Sequence, residues 1–101
     1  MITLLRGTVE AKGKGYLTLL TPSGVGYEVR MSNLELTQYA VSEGTTIHTY
    51  LKVAEQALEL YGFRSIQKRE FFMKLLTVSG VGPKRAMNIL ALGSIDDFKS
   101  A

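Results

Sequence analysis

The chain has 101 residues, 46% of them apolar, and a formal net charge of +3, enough for one ordinary domain or for one small domain and part of another. It holds no cysteine and a single histidine, which excludes disulfides, thiol nucleophiles, cysteine-ligated metals and a multi-histidine metal site. No apolar run approaches the roughly 20 residues that cross a bilayer, and the opening Met1-Ile2-Thr3-Leu4-Leu5-Arg6 has neither the basic leader nor the long apolar stretch of a signal peptide. A cytoplasmic setting with no membrane partner is therefore the default expectation.

Residues 1–63 read as strands. Leu4 to Ala11 is β-rich, and Lys12-Gly13-Lys14-Gly15 suits a tight hairpin turn into a second strand from Tyr16 to Thr21. Pro22-Ser23-Gly24 is the next turn. From Gly26 the chain alternates, with Tyr27, Val29 and Met31 on one side and Glu28 and Arg30 on the other, the period-two mark of a half-buried strand. Ser32 to Leu36 suits a short helix or turn, and Ser42-Glu43-Gly44 breaks the chain again. Ile47, Thr49, Leu51 and Val53 then alternate with His48, Tyr50 and Lys52. Ala54-Glu55-Gln56-Ala57 interrupts before a last strand from Leu58 to Phe63. Five short strands with a helical insertion after the third predict a small closed barrel of the OB type over 1–63.

After Phe63 the period changes to that of helices. Ser65 is a suitable N-cap, although Lys68 is not the acid that a capping box uses. Phe71, Phe72, Leu75, Leu76 and Val78 form one apolar face. The spacing predicts a second helix from about Pro83 to Leu92, stopped at Gly93. Ser94-Ile95-Asp96-Asp97 opens a third helix with a capping signature, but only four residues follow. So short a helix is marginal alone, and the expectation is that residues 64–101 are the incomplete part of a helical domain in a longer protein.

Charge is unevenly placed. Residues 1–63 carry five basic and six acidic side chains, a balance of −1, whereas residues 64–101 carry seven basic and three acidic ones, a balance of +4. Taken alone, such asymmetry fits either a polyanion partner or a solvated helix face. The run Ser79-Gly80-Val81-Gly82-Pro83-Lys84-Arg85-Ala86 decides for the partner. Its glycines permit positive φ and close approach, and Pro83 suits the first turn of a helix. The helix start offers unpaired amides and partial positive charge to a phosphate, with Lys84 and Arg85 beside it. Such a hairpin reads nucleic-acid backbone without regard to sequence.

Other motifs carry less. Gly24-Val25-Gly26-Tyr27 is followed by no helix and lacks the third glycine of a dinucleotide loop, so it reads as a turn feeding a strand. Tyr16, Tyr27, Tyr50 and Phe63 could stack bases but suit a core better. His48 has no evident partner and reads as a surface side chain. Glu55 and Glu59 fall in and after a strand junction, and Asp96 and Asp97 read as first-turn helix residues. No catalytic constellation, metal site or cofactor site is expected.

Four motifs in order carry a family resemblance: Met1-Ile2-x-x-Leu5-Arg6-Gly7, Gly24-Val25-Gly26-Tyr27-Glu28-Val29, Leu60-Tyr61-Gly62-Phe63 and Gly80-Val81-Gly82-Pro83-Lys84. Together they resemble the RuvA family, whose members bind Holliday junctions during branch migration. The resemblance covers the whole chain. It implies a non-catalytic scaffold for recombination and DNA repair that acts as a homotetramer, or a doubled octamer, around four-way junction DNA. RuvB, the ATPase motor, and RuvC are the implied protein partners, with a second hairpin and the RuvB-binding domain lying beyond this chain. On that basis Ser79, Gly80 and Gly82 offer backbone contacts and Lys84 a charge, to which the chemistry of the run adds Arg85. The family's acidic pin falls at Glu55 and Gln56, one acid where well-known members have two, which implies weaker repulsion of phosphate at the junction centre.

Two other classes fit parts of the chain. A DNA glycosylase or nuclease can use the same hairpin with a downstream Asp, although the strand-rich start lacks the helical architecture of those glycosylases. An OB-type protein-interaction module would show no salt-sensitive DNA affinity.

Overall fold

The computed structural model describes residues 1–92. The predicted stop at Gly93 and the helix start at Ser94 to Asp97 lie outside the described residues. Five strands, β1 (Leu4–Gly13), β2 (Tyr16–Leu20), β3 (Gly26–Arg30), β4 (Gly44–Ala54) and β5 (Ala57–Phe63), close a barrel in the order β1-β2-β3-β5-β4. All neighbours are antiparallel except β3 and β5, which pair in parallel at Val29–Leu60 and Arg30–Tyr61. This is the OB arrangement that the strand count predicts. A one-turn helix, α1 (Asn33–Leu36), joins β3 to β4 and is capped by the Ser32 hydroxyl, which accepts from Glu35 N–H at 3.2 Å.

The barrel fills by alternation. Val9, Leu17, Leu19, Val29 and Ile47 point inward and are fully buried, with Met31, Leu36 and Tyr39 closing one end. Burial pushes the Tyr39 phenol up to about 12, with the Glu35 charge adding to the shift, so the ring stays neutral throughout the physiological range. Gly62 is the inward residue of β5 where the space is already taken, since a Cβ there would collide with Val29 and Ile47.

The outer face of β4 and β5 is aromatic for a different reason. Tyr50, Tyr61 and Phe63 face away from the barrel interior and meet Phe72 of α2 (Ile66–Leu75). Phe72 is fully buried, with ring centroids 4.8 Å from Phe63 and 5.5 Å from both Tyr50 and Tyr61. Ala86 of α3 (Pro83–Leu90) is buried in the same cluster, where a small side chain lets the helix approach. Of the four aromatic residues expected in a core, Tyr27 packs on the barrel interior, Tyr50 and Phe63 join Tyr61 in the seam between barrel and helices, and Tyr16 is half-buried outside both clusters.

Polar contacts fix the same seam. Ser65 caps α2 by accepting from Lys68 N–H at 3.2 Å. The Lys68 ammonium, in place of closing a capping box, reaches the buried Glu35 carboxylate of α1 at 2.8 Å. Glu35 also accepts from Arg64 N–H at 3.3 Å, and the Arg69 guanidinium donates to the Thr49 carbonyl of β4. Lys12 donates to the carbonyls of Leu36 and Tyr39 at 3.2 and 2.7 Å, closing the C-terminal end of α1 against the barrel.

Three predicted details change. The first helix ends at Leu75 and Val78 is 53% exposed, so Val78 leaves the apolar face and joins the turn before the hairpin. The second helix ends at Leu90 rather than Leu92. The interruption at 54–57 narrows to a two-residue turn, Glu55-Gln56, because Ala54 and Ala57 remain paired across the strands. The β4–β5 hairpin therefore projects past the barrel, which leaves its cross-strand pair Val53 and Leu58 69% and 71% exposed.

Candidate nucleic-acid interface

Of the two glycines in the turn between α2 and α3, one takes the positive φ that the run allows, and the other, Gly82, is in ordinary extended backbone at φ −94° and ψ 178°. Gly80 sits at φ +84°, a left-handed position that strains any residue with a Cβ. Val81 N–H then donates to the Val78 carbonyl at 3.1 Å, and Ala86 N–H to the Gly82 carbonyl at 2.9 Å. Gly82 is the N-cap of α3 but offers no side-chain acceptor, and Pro83 occupies the first turn. The first amides of α3 therefore keep their hydrogen-bonding capacity for an external acceptor. Val81, by contrast, packs into the seam beside Phe72 and Ala86, so the hairpin is held on the barrel rather than hung from it.

Beside the hairpin lies an open groove of about 840 Å³. Gly80, Gly82, Lys84 and Arg85 line it from the helices, and Lys14, Arg30 and Lys52 line it from the β1–β2 turn, β3 and β4. The β1–β2 turn is held at the groove edge because Gly15 N–H donates to Asn33 Oδ1 at 2.9 Å and the Gly15 carbonyl accepts from Met31 N–H at 3.0 Å. Among the described residues, five cations against one acid, Glu59, give the groove a strongly positive potential. Within the same span, Lys14, Lys52, Lys84 and Arg85 have no ion-pair partner among the described residues.

The sequence-predicted residues are only partly united. Gly80, Gly82, Lys84 and Arg85 share the groove, whereas Ser79 is exposed on the turn but does not line it. Glu55 and Gln56 stand apart at the exposed tip of the β4–β5 hairpin. Lys14, Arg30 and Lys52 are groove residues that sequence reading misses. Strand alternation does turn Arg30 and Lys52 outward, but only the closure of the barrel, β3 beside β5 beside β4, shows that they converge. Among the described residues no group of three or more His, Asp or Glu side chains is gathered as a metal site would require, and no helix is long and apolar enough to cross a membrane.

A closed OB barrel with a glycine hairpin docked on its outer face defines a class: an OB domain extended by a helix-hairpin-helix. Comparison with known families agrees on both parts. Residues 1–62 match the family described as RuvA N terminal domain, and residues 72–101 match the SAM-like helix-hairpin-helix tandem. The chain belongs to the RuvA N-terminal domain family. A Pseudomonas fluorescens protein named Holliday junction branch migration complex subunit RuvA is 41% identical over 99 residues, which is 97% of this chain and 48% of that protein. Proteins of the same name from Thermoanaerobacter sp. and Chloroflexus aggregans are each 39% identical, over 103 and 101 residues, covering 100% and 99% of this chain and 54% and 51% of theirs. The chain thus spans about half the length of the relatives that it matches.

Proposed function

We propose that this chain is the junction-binding part of a branch-migration scaffold: it holds four-way DNA by its phosphates and performs no chemistry itself. The observation that carries the reading is the groove in which barrel cations and hairpin amides face one space. Contacts of this kind hold backbone without reading bases, which suits a protein beneath which sequence must keep changing. In this reading Gly80 and Gly82 bring the backbone close to a phosphate, Ser79 adds a hydroxyl at the turn, and Lys84 and Arg85 supply charge. The names of the relatives support junction DNA as the ligand and a branch migration complex as the setting. A homotetramer, or a doubled octamer, would present one groove to each arm, with RuvB as the motor and RuvC as a further partner in the cytoplasm.

The test is a gel shift that compares a four-way junction with linear duplex of equal length at two salt concentrations. The expected result is tighter binding to the junction, and for both DNAs a loss of affinity with salt at a log–log slope of about −0.9 per neutralised phosphate. Equal affinity for the two DNAs would remove the junction from the proposal, and salt-independent binding would remove the phosphates.

The β4–β5 tip is the pin of this scaffold. Ala54, Ala57, Val53 and Leu58 leave Glu55 as its single charge, so each subunit brings one acid to the junction centre. Gln56→Glu doubles that charge and raises the repulsion of phosphates. The expected outcome is weaker junction binding, about twofold to fivefold at low salt and shrinking as salt screens the pair. Unchanged binding across the salt series would show that the tip does not approach the DNA.

A further inference from the structure

Among the described residues Glu59 is the one acid lining the groove, and it stands between two of the five cations. On one side the Arg30 guanidinium meets its carboxylate, Nε to Oε2, at 3.3 Å. On the other, Lys52 is its direct cross-strand partner in the β4–β5 register, close enough for the charges to interact. From the same strand, two residues on, Tyr61 OH donates to Glu59 Oε2 at 3.4 Å. The Glu59 side chain is 23% exposed and that of Arg30 52% exposed, so the carboxylate is held while the guanidinium has one flank open to the groove.

We infer that Glu59 is a built-in competitor for the DNA backbone, an affinity-limiting residue that holds Arg30 in the free protein and yields it to phosphate in the complex. The inference rests on the phosphate-groove reading above and goes beyond it by assigning Arg30 a switched contact. An exposed ion pair of this kind is weak and exchanges readily, whereas a bidentate guanidinium–phosphate contact is stronger and geometrically matched. When a phosphate leaves, Arg30 returns to Glu59 rather than to water alone. The step from one phosphate to the next is then less uphill than it would be with a free arginine. A scaffold whose DNA must move through it gains mobility at the expense of affinity.

The experiment is a double-mutant cycle in the purified protein, with junction affinity measured across a salt series. Glu59→Gln keeps an acceptor for Tyr61 but removes the charge that holds Arg30. The expected result is tighter junction binding, about twofold to fivefold per subunit engaged, the size set by one exposed ion pair, with the salt slope essentially unchanged, because Arg30 meets its phosphate in both proteins. Arg30→Gln alone should weaken binding only slightly, and the gain from Glu59→Gln should vanish in the Arg30→Gln background. A gain that persists without Arg30 would mean that Glu59 acts only through the general field, and no gain at all would mean that it does not compete with DNA; either result overturns the inference. The wild-type protein in the same series separates the two levels. Salt-sensitive junction binding by wild type with no Glu59 effect leaves the groove reading standing, and salt-insensitive wild-type binding takes both down.

Discussion

Phe72→Ala is expected to destabilise the protein by about 3–5 kcal/mol, the range for emptying a fully buried aromatic site. Three rings lie within 5.5 Å of Phe72, and Ala86 and Val81 pack in the same cluster. Two helices lean on it from one side and two strands from the other, so the vacated space cannot collapse without moving the seam. Edge and tilted ring pairs add to the loss beyond the buried area. Against a total stability of roughly 5–15 kcal/mol for a natural domain, such a loss is a large fraction. Its location matters as much as its size. Val9, Leu17, Leu19, Val29 and Ile47 form a separate cluster inside the barrel, which retains its packing. Urea unfolding followed by far-ultraviolet circular dichroism should therefore show the helical signal lost at lower denaturant than the strand signal, two transitions where wild type shows one. A single transition displaced by less than about 1 kcal/mol would mean that Phe72 does not hold the helices to the barrel. Phe72→Leu, which keeps most of the volume, should recover much of the loss.

That seam also marks the limit of what the sequence makes legible. The barrel can be read because alternation along β3 and β4 and the turns within Lys12-Gly13-Lys14-Gly15 and Pro22-Ser23-Gly24 are local signals, and the hairpin because Gly80 and Pro83 each answer a local backbone need. The outward aromatic residues Tyr50, Tyr61 and Phe63 carry no such signal. Their partner lies on α2, and period-two alternation says only that they leave the barrel interior. Lys68 shows the same limit. Its place in the first turn of α2 reads as a missing capping box, whereas its ammonium has a buried partner, Glu35, 33 positions back in the chain. The groove cations follow suit: Lys84 and Arg85 are adjacent and visible, but Arg30 and Lys52 join them only through the parallel β3–β5 pair and the antiparallel β4–β5 pair. Short-range chemistry gives the grip; the topology supplies the face on which the grip works.

Lys84→Ala is the substitution with the largest expected effect on DNA binding. Lys84 is exposed, lines the groove at the start of α3 and has no ion-pair partner among the described residues, so its removal leaves the fold intact and takes one charge from the site. A phosphate contact with a logarithmic salt slope of about 0.9 contributes roughly eightfold in affinity between 1 M and 0.1 M salt. If four subunits hold one junction, four lysines are removed together, and the ceiling on the combined loss is about four thousandfold, with the slope shallower by about four times 0.9. Binding should weaken alike for junctions of different sequence, because a lysine at this place meets phosphates and not bases. Lys74→Ala provides the charge-matched control, since Lys74 lies in the last turn of α2 and does not line the groove. Equal losses from the two substitutions would show that DNA responds to the diffuse field of the basic helices. A loss confined to Lys84, with a shallower salt slope, ties the affinity to the hairpin itself. The size of the slope change then counts the hairpins that grip one junction, one phosphate for each step of about 0.9, which turns a salt titration into a measure of how many copies of this chain surround the DNA.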